Sequence, residues 1–232
     1  MALPSISTPE FQTTIPSTGE NITYRPFLVK EEKILLMAME GGDAVEMSNA
    51  MLNILKSCIL SEVDVEKLAT FDIEYLFLTL RSKSVGEVIT LNINHTTETE
   101  CKHLSEVKVS IDDIKVEGEI SDGKIMLTDS IGIKLRYPKM SDLKDVSTAD
   151  SETMFKMVRK CIEYIFDKED VYSDFTEEEL ETWIDGLNQT QFGTITKFFE
   201  NTPKLSHTVE WTCEKCKEKD SIKLEGLQSF FT

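Results

Sequence analysis

The apolar residues of this sequence change their spacing near residue 88, and that change limits the folds open to the chain. Before it, apolar residues recur at helical spacing, as they do from Val45 to Ile59. From Val88 to Asn94 and from Val107 to Ile111 they alternate, which indicates strands with one buried face. The polar stretch Thr96–Ser105 between these two strands predicts a hairpin loop.

Helical spacing returns in the second half of the chain, in a block from about Ser151 to Asn201. Within it Thr176, followed by Glu179, has the pattern of a capping box and predicts the start of a helix. Two short strands, Thr208–Thr212 and Ser221–Leu224, then close the chain. Helical blocks that flank a small antiparallel β section predict an α+β fold.

The first helix of this second block is predicted to continue to Ile165, because apolar side chains keep helical spacing up to that position. Such a stripe is typical of a helix that packs on a core. Its members are Met154, Met157, Val158, Cys161, Ile162 and Ile165.

Composition and spacing together divide the chain into five segments, with no internal repeat apparent. Residues 1–20 are rich in Ser, Thr and Pro, have nothing to build a core from, and predict an extended arm. The other segments are a strand and helical region at 21–87, a β-hairpin region at 88–138, a helical region at 139–203, and a C-terminal hairpin at 204–232. We expect this last hairpin to pack on residues 88–112.

The charge balance limits the partners that the chain can have. There are 42 acidic and 25 basic residues, which gives a net charge of -17. Such a surface repels phosphate backbones and anionic lipid, so we expect no nucleic acid and no membrane among the partners. A basic protein segment is the electrostatic match, although acidity that only maintains solubility explains the composition equally well.

The sequence also indicates a cytosolic protein. No segment approaches the roughly 20 apolar residues that span a bilayer. Residues 1–20 lack the basic and apolar regions of a signal peptide. In a reducing cytosol the five cysteines are expected to be thiols or metal ligands rather than disulfides.

Cysteine and histidine gather at the tips of both predicted hairpins. Cys213 and Cys216 have the CxxC spacing that lets two thiolates bind one tetrahedral Zn²⁺. The other tip supplies Cys101 and His103, and His95 at the end of its first strand competes with His103 for the fourth place. The sequence therefore predicts a zinc-ribbon-like pair of hairpins with one structural zinc, held by Cys101, His103, Cys213 and Cys216.

Two other interpretations of the CxxC compete with zinc. The two loops are then unrelated, and one of them carries a spare thiol pair. A redox CxxC would lie at a helix N-terminus after a strand, and no helix follows Cys216 in this pattern. Cys58 and Cys161 lie on apolar helical faces and are predicted to be core thiols, and His207 is predicted to be a surface residue.

Nothing in the sequence indicates catalysis. There is no GxSxG, Walker A, GxGxxG or HExxH motif. Acidic residues fall on capping turns and exposed helix faces, as in Glu177–Glu181, and no catalytic pair stands out. We predict a protein that is not an enzyme, because four protein ligands leave zinc no open position. Three ligands and a water would instead indicate a metalloenzyme.

Three stretches of the sequence resemble one protein family. Residues 24–38, YRPFLVKEEKILLMA, are similar to the opening signature of the baseplate hub proteins of T4-like contractile-tailed phages. Residues 71–87, FDIEYLFLTLRSKSVGE, resemble the family's second block. The ending, with the CxxC at 213–216 and LEGLQSFF at 224–231, resembles its C-terminus. The resemblance covers nearly the whole chain after residue 20, and the cyanophage branch is the most similar.

The resemblance implies a structural or assembly protein of the tail baseplate hub, without enzymatic activity, that binds other hub or tail proteins. Its expected location is the tail baseplate of the virion, after assembly in the host cytoplasm. The alternative is a chaperone that holds the tape-measure protein and is absent from the mature virion. Members of the family often have a full CxxC in the first hairpin, where this sequence has Cys101-Lys-His103.

Overall fold

The computed structural model describes residues 6–95, 101–145 and 151–230, and the chain divides into two compact units. The first unit contains the residues up to Glu117 together with those from Lys204 onward. The second unit is Gly118–Pro203. The region 88–138, which the sequence treats as one β section, is therefore shared between the two units.

The first unit contains three α-helices and seven strands among its described residues. The helices are α1 (Val29–Gly41), α2 (Ala44–Cys58) and α3 (Thr70–Ser84). The strands are β1 (Phe11–Thr14), β2 (Asn21–Tyr24), β3 (Val88–Ile93), β4 (Ser105–Ser110), β5 (Lys115–Glu117), β10 (Lys204–Thr212) and β11 (Lys219–Glu225). The predicted hairpins are confirmed, because β3 pairs with β4 and β10 with β11, each pair antiparallel. The free side of β10 pairs with β5.

Within residues 1–20, the segment expected to be an extended arm, residues 11–14 form strand β1. Strand β1 pairs with β2 in register, with Phe11 opposite Tyr24. Ile15, just beyond β1, is fully buried, and the Ser17 amide donates a hydrogen bond to Asp72 at 2.9 Å. A short Thr-rich strand can form when it pairs with one neighbouring strand and one adjacent side chain is buried. The average composition of 20 residues does not reveal such a short strand.

Local sequence signals define the helices of the first unit. The Asp43 side chain accepts hydrogen bonds from the amides of Val45 and Glu46 and caps α2. Gly42 ends α1 with a φ of 67°, a left-handed conformation that glycine adopts without steric cost. The apolar faces of α2 and α3 supply buried residues of this unit, among them Ile54, Leu55, Ile73, Leu76, Phe77 and Leu80.

The second unit combines an antiparallel sheet with three helices among its described residues. The strands are β6 (Lys124–Met126), β7 (Gly132–Leu135), β8 (Ile162–Phe166) and β9 (Val171–Tyr172), paired in that order. The helices are α4 (Ser151–Cys161), α5 (Glu177–Asp185) and α6 (Gln189–Glu200). The predicted capping box of α5 is confirmed, because Thr176 and Glu179 each accept a hydrogen bond from the other's amide.

The prediction that α4 continues to Ile165 is wrong, because the helix ends at Cys161. Residues 162–166 form β8 instead, with Ile165 opposite Ile133 on β7. The segment Ile-Glu-Tyr-Ile-Phe is rich in β-branched and aromatic residues, which favour strands when a sheet edge is available. Val158 on the helix and Ile162 on the strand both pack in the core of this unit. The helical spacing of apolar residues therefore continues in the sequence past the point where the helix ends.

The two units together confirm the α+β class that the sequence predicts. The core of the second unit is a cluster on α4 to α6 and the sheet, formed by Ile133, Leu135, Val158, Ile162, Leu180, Ile184, Ile195 and Phe198. Among the described residues no helix is both long and apolar enough to cross a lipid bilayer.

Candidate metal centre

The tip of the β10–β11 hairpin folds the CxxC into a tight turn. The Cys213 amide donates to the Glu218 carbonyl, and the Lys217 amide donates back to the Cys213 carbonyl, both at 2.9 Å. Lys217 takes a φ of 64°, which turns the chain sharply after Cys216. This turn brings the two cysteine side chains to the same point.

The β3–β4 hairpin supplies the other half of the cluster. Its strands pair in register from Val88 opposite Ser110 to Ile93 opposite Ser105. His95 follows the end of β3, and Cys101 lies in the loop before β4.

The structure gathers His95, Cys101, Cys213 and Cys216 into one cluster whose ligand atoms all lie within 4.8 Å of one another. The Cys101 and Cys213 sulfurs are 3.9 Å apart, and the Cys216 sulfur is 3.3 Å from His95 Nε2. Three of the four residues favoured by the sequence are thus brought together. The fourth member is His95, the competing candidate, and His103 lies outside the cluster.

These distances fit one tetrahedral ion. Zn–S bonds of about 2.3 Å and Zn–N bonds of about 2 Å place the ligand atoms roughly 3.5–3.8 Å apart. The measured separations of 3.9 and 3.3 Å lie close to that range. A disulfide between Cys101 and Cys213 does not fit, because it needs a sulfur–sulfur distance of about 2.05 Å. The cluster therefore has the composition and spacing of a site that could hold a metal.

Hydrogen bonds from the turn prepare the sulfurs to act as ligands. Backbone amides of Cys216 and Lys215 donate to the Cys213 sulfur and, together with His95, lower the pKa of Cys213 to about 5 despite its burial. The Glu218 amide also lowers the pKa of Cys216. Burial and the neighbouring thiols of Cys213 and Cys101 outweigh that effect, so the pKa of Cys216 is raised overall. Close thiols that repel each other as thiolates are what a divalent cation would neutralise.

Asp220 stands behind His95 on the side away from the sulfurs. Its Oδ2 lies 3.4 Å from His95 Nδ1, while Oδ1 accepts the Ser221 amide at 2.8 Å. Both side chains are nearly inaccessible, with 3% of His95 and 6% of Asp220 exposed. The pKa of His95 is raised first by its hydrogen bond to Cys213, against the effect of burial, and further by Asp220. Metal-bound histidines usually meet such a carboxylate with the second ring nitrogen.

Sequence reasoning missed Asp220. It lies within the polar run Glu218–Ser221, where nothing distinguishes it from a surface acid. The only available signal was its place four residues after Cys216, at the start of the returning strand. That signal becomes specific only when the hairpin register is known.

The remaining cysteines confirm their prediction as core thiols. Cys58 and Cys161 are fully buried at the ends of α2 and α4. Burial raises the pKa of Cys58 to about 11 and that of Cys161 to about 12. Both therefore stay protonated and are poor ligands and nucleophiles near neutral pH.

Comparison with known proteins gives one family. The family model described as T4 bacteriophage base plate protein matches residues 8–232. The chain is 25% identical over 224 residues to the baseplate hub assembly protein gp26 of Enterobacteria phage T4. That alignment covers 96% of this chain and 98% of the T4 protein. No solved structure gives a significant match.

Proposed function

Because the chain belongs to the T4 bacteriophage base plate protein family, we propose that it helps to build the hub of a phage tail baseplate by binding other proteins. The end-to-end alignment with a baseplate hub assembly protein carries this proposal. The alignment covers 98% of that protein, so the two sequences correspond over nearly all of its length.

The outer face of α1 supports a role in protein contacts. Val29, Leu36 and Met37 are 66%, 51% and 71% exposed, although a solvent-facing helix surface normally carries polar residues. Glu40 lies in the last turn of α1 and Asp43 follows the helix, and both are exposed. The net charge of the chain is -17. We propose that the partner is a hub protein whose apolar contact residues are flanked by basic ones.

This proposal includes no catalytic step. All four cluster residues would be occupied as ligands of a single zinc, so no position is left for a substrate or an activated water. The function is then carried by surfaces, and the metal only holds the structure together.

The test is a pull-down of the tagged chain from infected cells, combined with mass spectrometry of purified virions. Recovery of other baseplate hub proteins supports the proposal. A fixed amount of the chain in virions identifies a hub subunit, and absence from virions identifies an assembly factor. Recovery of the tape-measure protein alone would identify a chaperone for it. Recovery of metabolites or nucleic acid alone rejects the proposal.

A matched pair of variants assigns the contact. Met37→Glu places a charge on the outer face of α1 and should lose the hub partner. Val171→Glu changes a residue that is 64% exposed in the second unit and should retain it. Equal recovery by both variants would show that α1 is not the contact surface.

We also propose that His95, Cys101, Cys213 and Cys216 hold one structural Zn²⁺. Three thiolates and one imidazole are a common donor set for closed zinc sites. The ion would tie the β3–β4 loop to the tip of β10–β11. The atomic separations and the lowered pKa of Cys213 support this assignment.

The metal proposal is tested by metal analysis of the chain purified without chelator, which should contain one zinc per molecule. Cys213→Ser should lose the zinc and lower the melting temperature, whereas Cys161→Ser should keep the zinc. His95→Ala should weaken zinc binding and His103→Ala should not. Absence of zinc from the wild-type chain would reject the site, and loss of zinc in His103→Ala alone would reject the ligand set.

A further inference from the structure

Two arginines, one in each compact unit, make hydrogen bonds to corresponding groups in their own surroundings. We infer that the chain consists of two copies of one structural repeat, and that the candidate metal centre joins the equivalent hairpins in which the two copies end. The recurrence lies in contacts, which is why the sequence alone shows no repeat.

In the first copy, Arg25 lies directly after β2 and binds the end of α2. Its amide donates to the Cys58 carbonyl at 3.0 Å. Its guanidinium donates at 2.9 Å to the Ser57 carbonyl, to the carbonyl of the next residue, and to Glu31. Glu31 also accepts the Leu28 amide at 2.8 Å.

In the second copy, Arg136 lies directly after β7 and binds the end of α4. Its amide donates to the Cys161 carbonyl at 2.9 Å. Its guanidinium donates to the Lys160 carbonyl at 2.7 Å, to the carbonyl of the next residue at 3.1 Å, and to Asp142 at 2.6 Å. Asp142 also accepts the Lys139 amide at 2.8 Å.

The offsets between each arginine, its acid and the amide that the acid accepts agree, whereas the helix end that the arginine binds lies 32 residues away in the first copy and 24 in the second. In both copies the acid follows the arginine by six residues and accepts the amide three residues before itself. In both, the residue before the arginine pairs with the residue after the buried cysteine, as Tyr24 with Ile59 and Leu135 with Ile162. A buried guanidinium requires several acceptors, but it does not require the same acceptors at the same offsets.

The elements that follow keep the same order. Each copy begins with a hairpin, β1–β2 or β6–β7, and has a helix that ends at the cysteine. A capped helix comes later, α3 or α6, and three residues then separate it from a second hairpin. The second hairpins are β3–β4 and β10–β11, and each is followed by a single 3-10 turn. The copies therefore correspond in their two hairpins and in two of their helices, while β9 and α5 of the second copy have no counterpart among the described residues of the first.

This correspondence explains the composition of the metal cluster. The hairpin that ends the first copy supplies His95 and Cys101, and the hairpin that ends the second supplies Cys213 and Cys216. Ligands 112 residues apart thus lie in the loops of equivalent hairpins in the two copies. The inference that the metal centre joins the two copies rests on the proposed zinc, whereas the repeat rests on the arginine contacts and the order of the elements.

A chimera of the full chain tests the repeat. Residues 22–31, ITYRPFLVKE, are replaced by the sequence of residues 133–142, IKLRYPKMSD, which keeps the arginine and the acid at their positions. The matched control uses the sequence of residues 132–141, which moves the arginine by one place and leaves no acid at the last. We expect the in-register chimera to melt about 5 °C or more above the control. Equal melting temperatures would overturn the repeat.

A second comparison does not depend on how well the chimera packs. Arg25→Gln and Arg136→Gln should each speed hydrogen exchange at the amide three residues later, Leu28 in one variant and Lys139 in the other. Arg159→Gln removes a partly exposed ion pair with Glu181 and should change neither amide. Loss of protection in only one of the two test variants would overturn the equivalence.

Zinc content separates the two parts of the inference. Zinc in the wild-type chain and in the in-register chimera supports the joint. A wild-type chain without zinc overturns the joint and the proposed metal site, while the melting temperatures still decide the repeat.

Discussion

Asp220 would act on the proposed zinc site through His95, without binding the metal itself. Its carboxylate lies 3.4 Å from His95 Nδ1 and accepts the Ser221 amide, a position from which it would orient the ring once the other ring nitrogen binds a metal. We expect Asp220→Asn to fold and to bind zinc roughly 10-fold more weakly, the lower end of the effect of such partners. Competition with a chromophoric chelator measures the affinity. Exposed Asp112→Asn is the control, and equal affinities in both variants would show that Asp220 does not position His95.

Glu31 links one carboxylate to the acid stability of the first unit. Burial alone would raise its pKa, but the hydrogen bonds from Arg25 and the Leu28 amide outweigh burial and lower the pKa below its ordinary value of 4.5. A carboxyl group with a lowered folded-state pKa stabilises the fold above the unfolded-state pKa and loses that effect as pH falls through the folded value.

The prediction from Glu31 is therefore a stability difference that depends on pH. Near pH 7, Glu31→Gln should unfold with about 2 kcal/mol less free energy than the wild type, since hydrogen bonds to a charged group are lost. The difference should shrink as the pH falls below about 4.5. Urea unfolding of both proteins from pH 7 to pH 3 measures it. A difference that stays constant over this range would contradict the assignment.

Among the turns, the one before β6 depends most strongly on glycine. Gly123 has a φ of 74°, and a Cβ there would lie 2.0 Å from the Leu135 carbonyl oxygen. Leu135 also donates its amide to the Gly123 carbonyl at 2.8 Å, so the two backbones cannot separate without losing that bond. We expect Gly123→Ala to destabilise the chain by about 3 kcal/mol or more.

Gly19 gives the matched control for this turn. Its φ of 72° is nearly the same, but a Cβ there would meet no atom within 4 Å. Gly19→Ala should therefore cost only the conformational penalty of about 1 kcal/mol. Thermal unfolding of the two variants compares them directly. Equal losses would mean that the close approach to Leu135 is relieved in solution.

At the scale of elements, the sequence predicts what depends on local chemistry. The start of α5 at Thr176 depends on a side chain that bonds a nearby amide, so the sequence alone predicts it. The end of α4 depends on β7, which takes residues 162–166 as a neighbouring strand. No local signal reports a partner strand that lies elsewhere in the chain.

The candidate site shows the same division. The cysteines were found because CxxC spacing is itself a geometric signal. His95 and His103 both flank the same hairpin loop, two residues beyond the paired Ile93 and Ser105, so strand alternation does not distinguish between them as ligands.

The structural repeat could not be predicted from the sequence for a related reason. Residues 22–31 and 133–142 share only their isoleucine and arginine at matching places, while the recurring contacts are made largely by backbone groups.

For the molecule as a whole, the candidate metal-binding cluster belongs to one of the two compact units. All four of its residues lie in the first unit, and the second has its own core around Val158 and Ile195. A protein that helps to build a baseplate hub must present stable surfaces to other proteins. The zinc would supply that stability at the β3–β4 and β10–β11 tips, where loops have no extensive core of their own.

Removing the metal should therefore loosen the first unit at these tips and leave the second unit unchanged. We expect a strong chelator to speed hydrogen exchange in residues 204–225 and in the described part of the β3–β4 hairpin, because the cluster ties these hairpins together. Exchange in α5 and α6 should stay as it was, since their packing uses none of the four ligands. Added zinc should restore protection, and Cys213→Ser should resemble the chelated wild type with or without chelator. Uniform loss of protection across both units would show instead that the chain unfolds as one cooperative body.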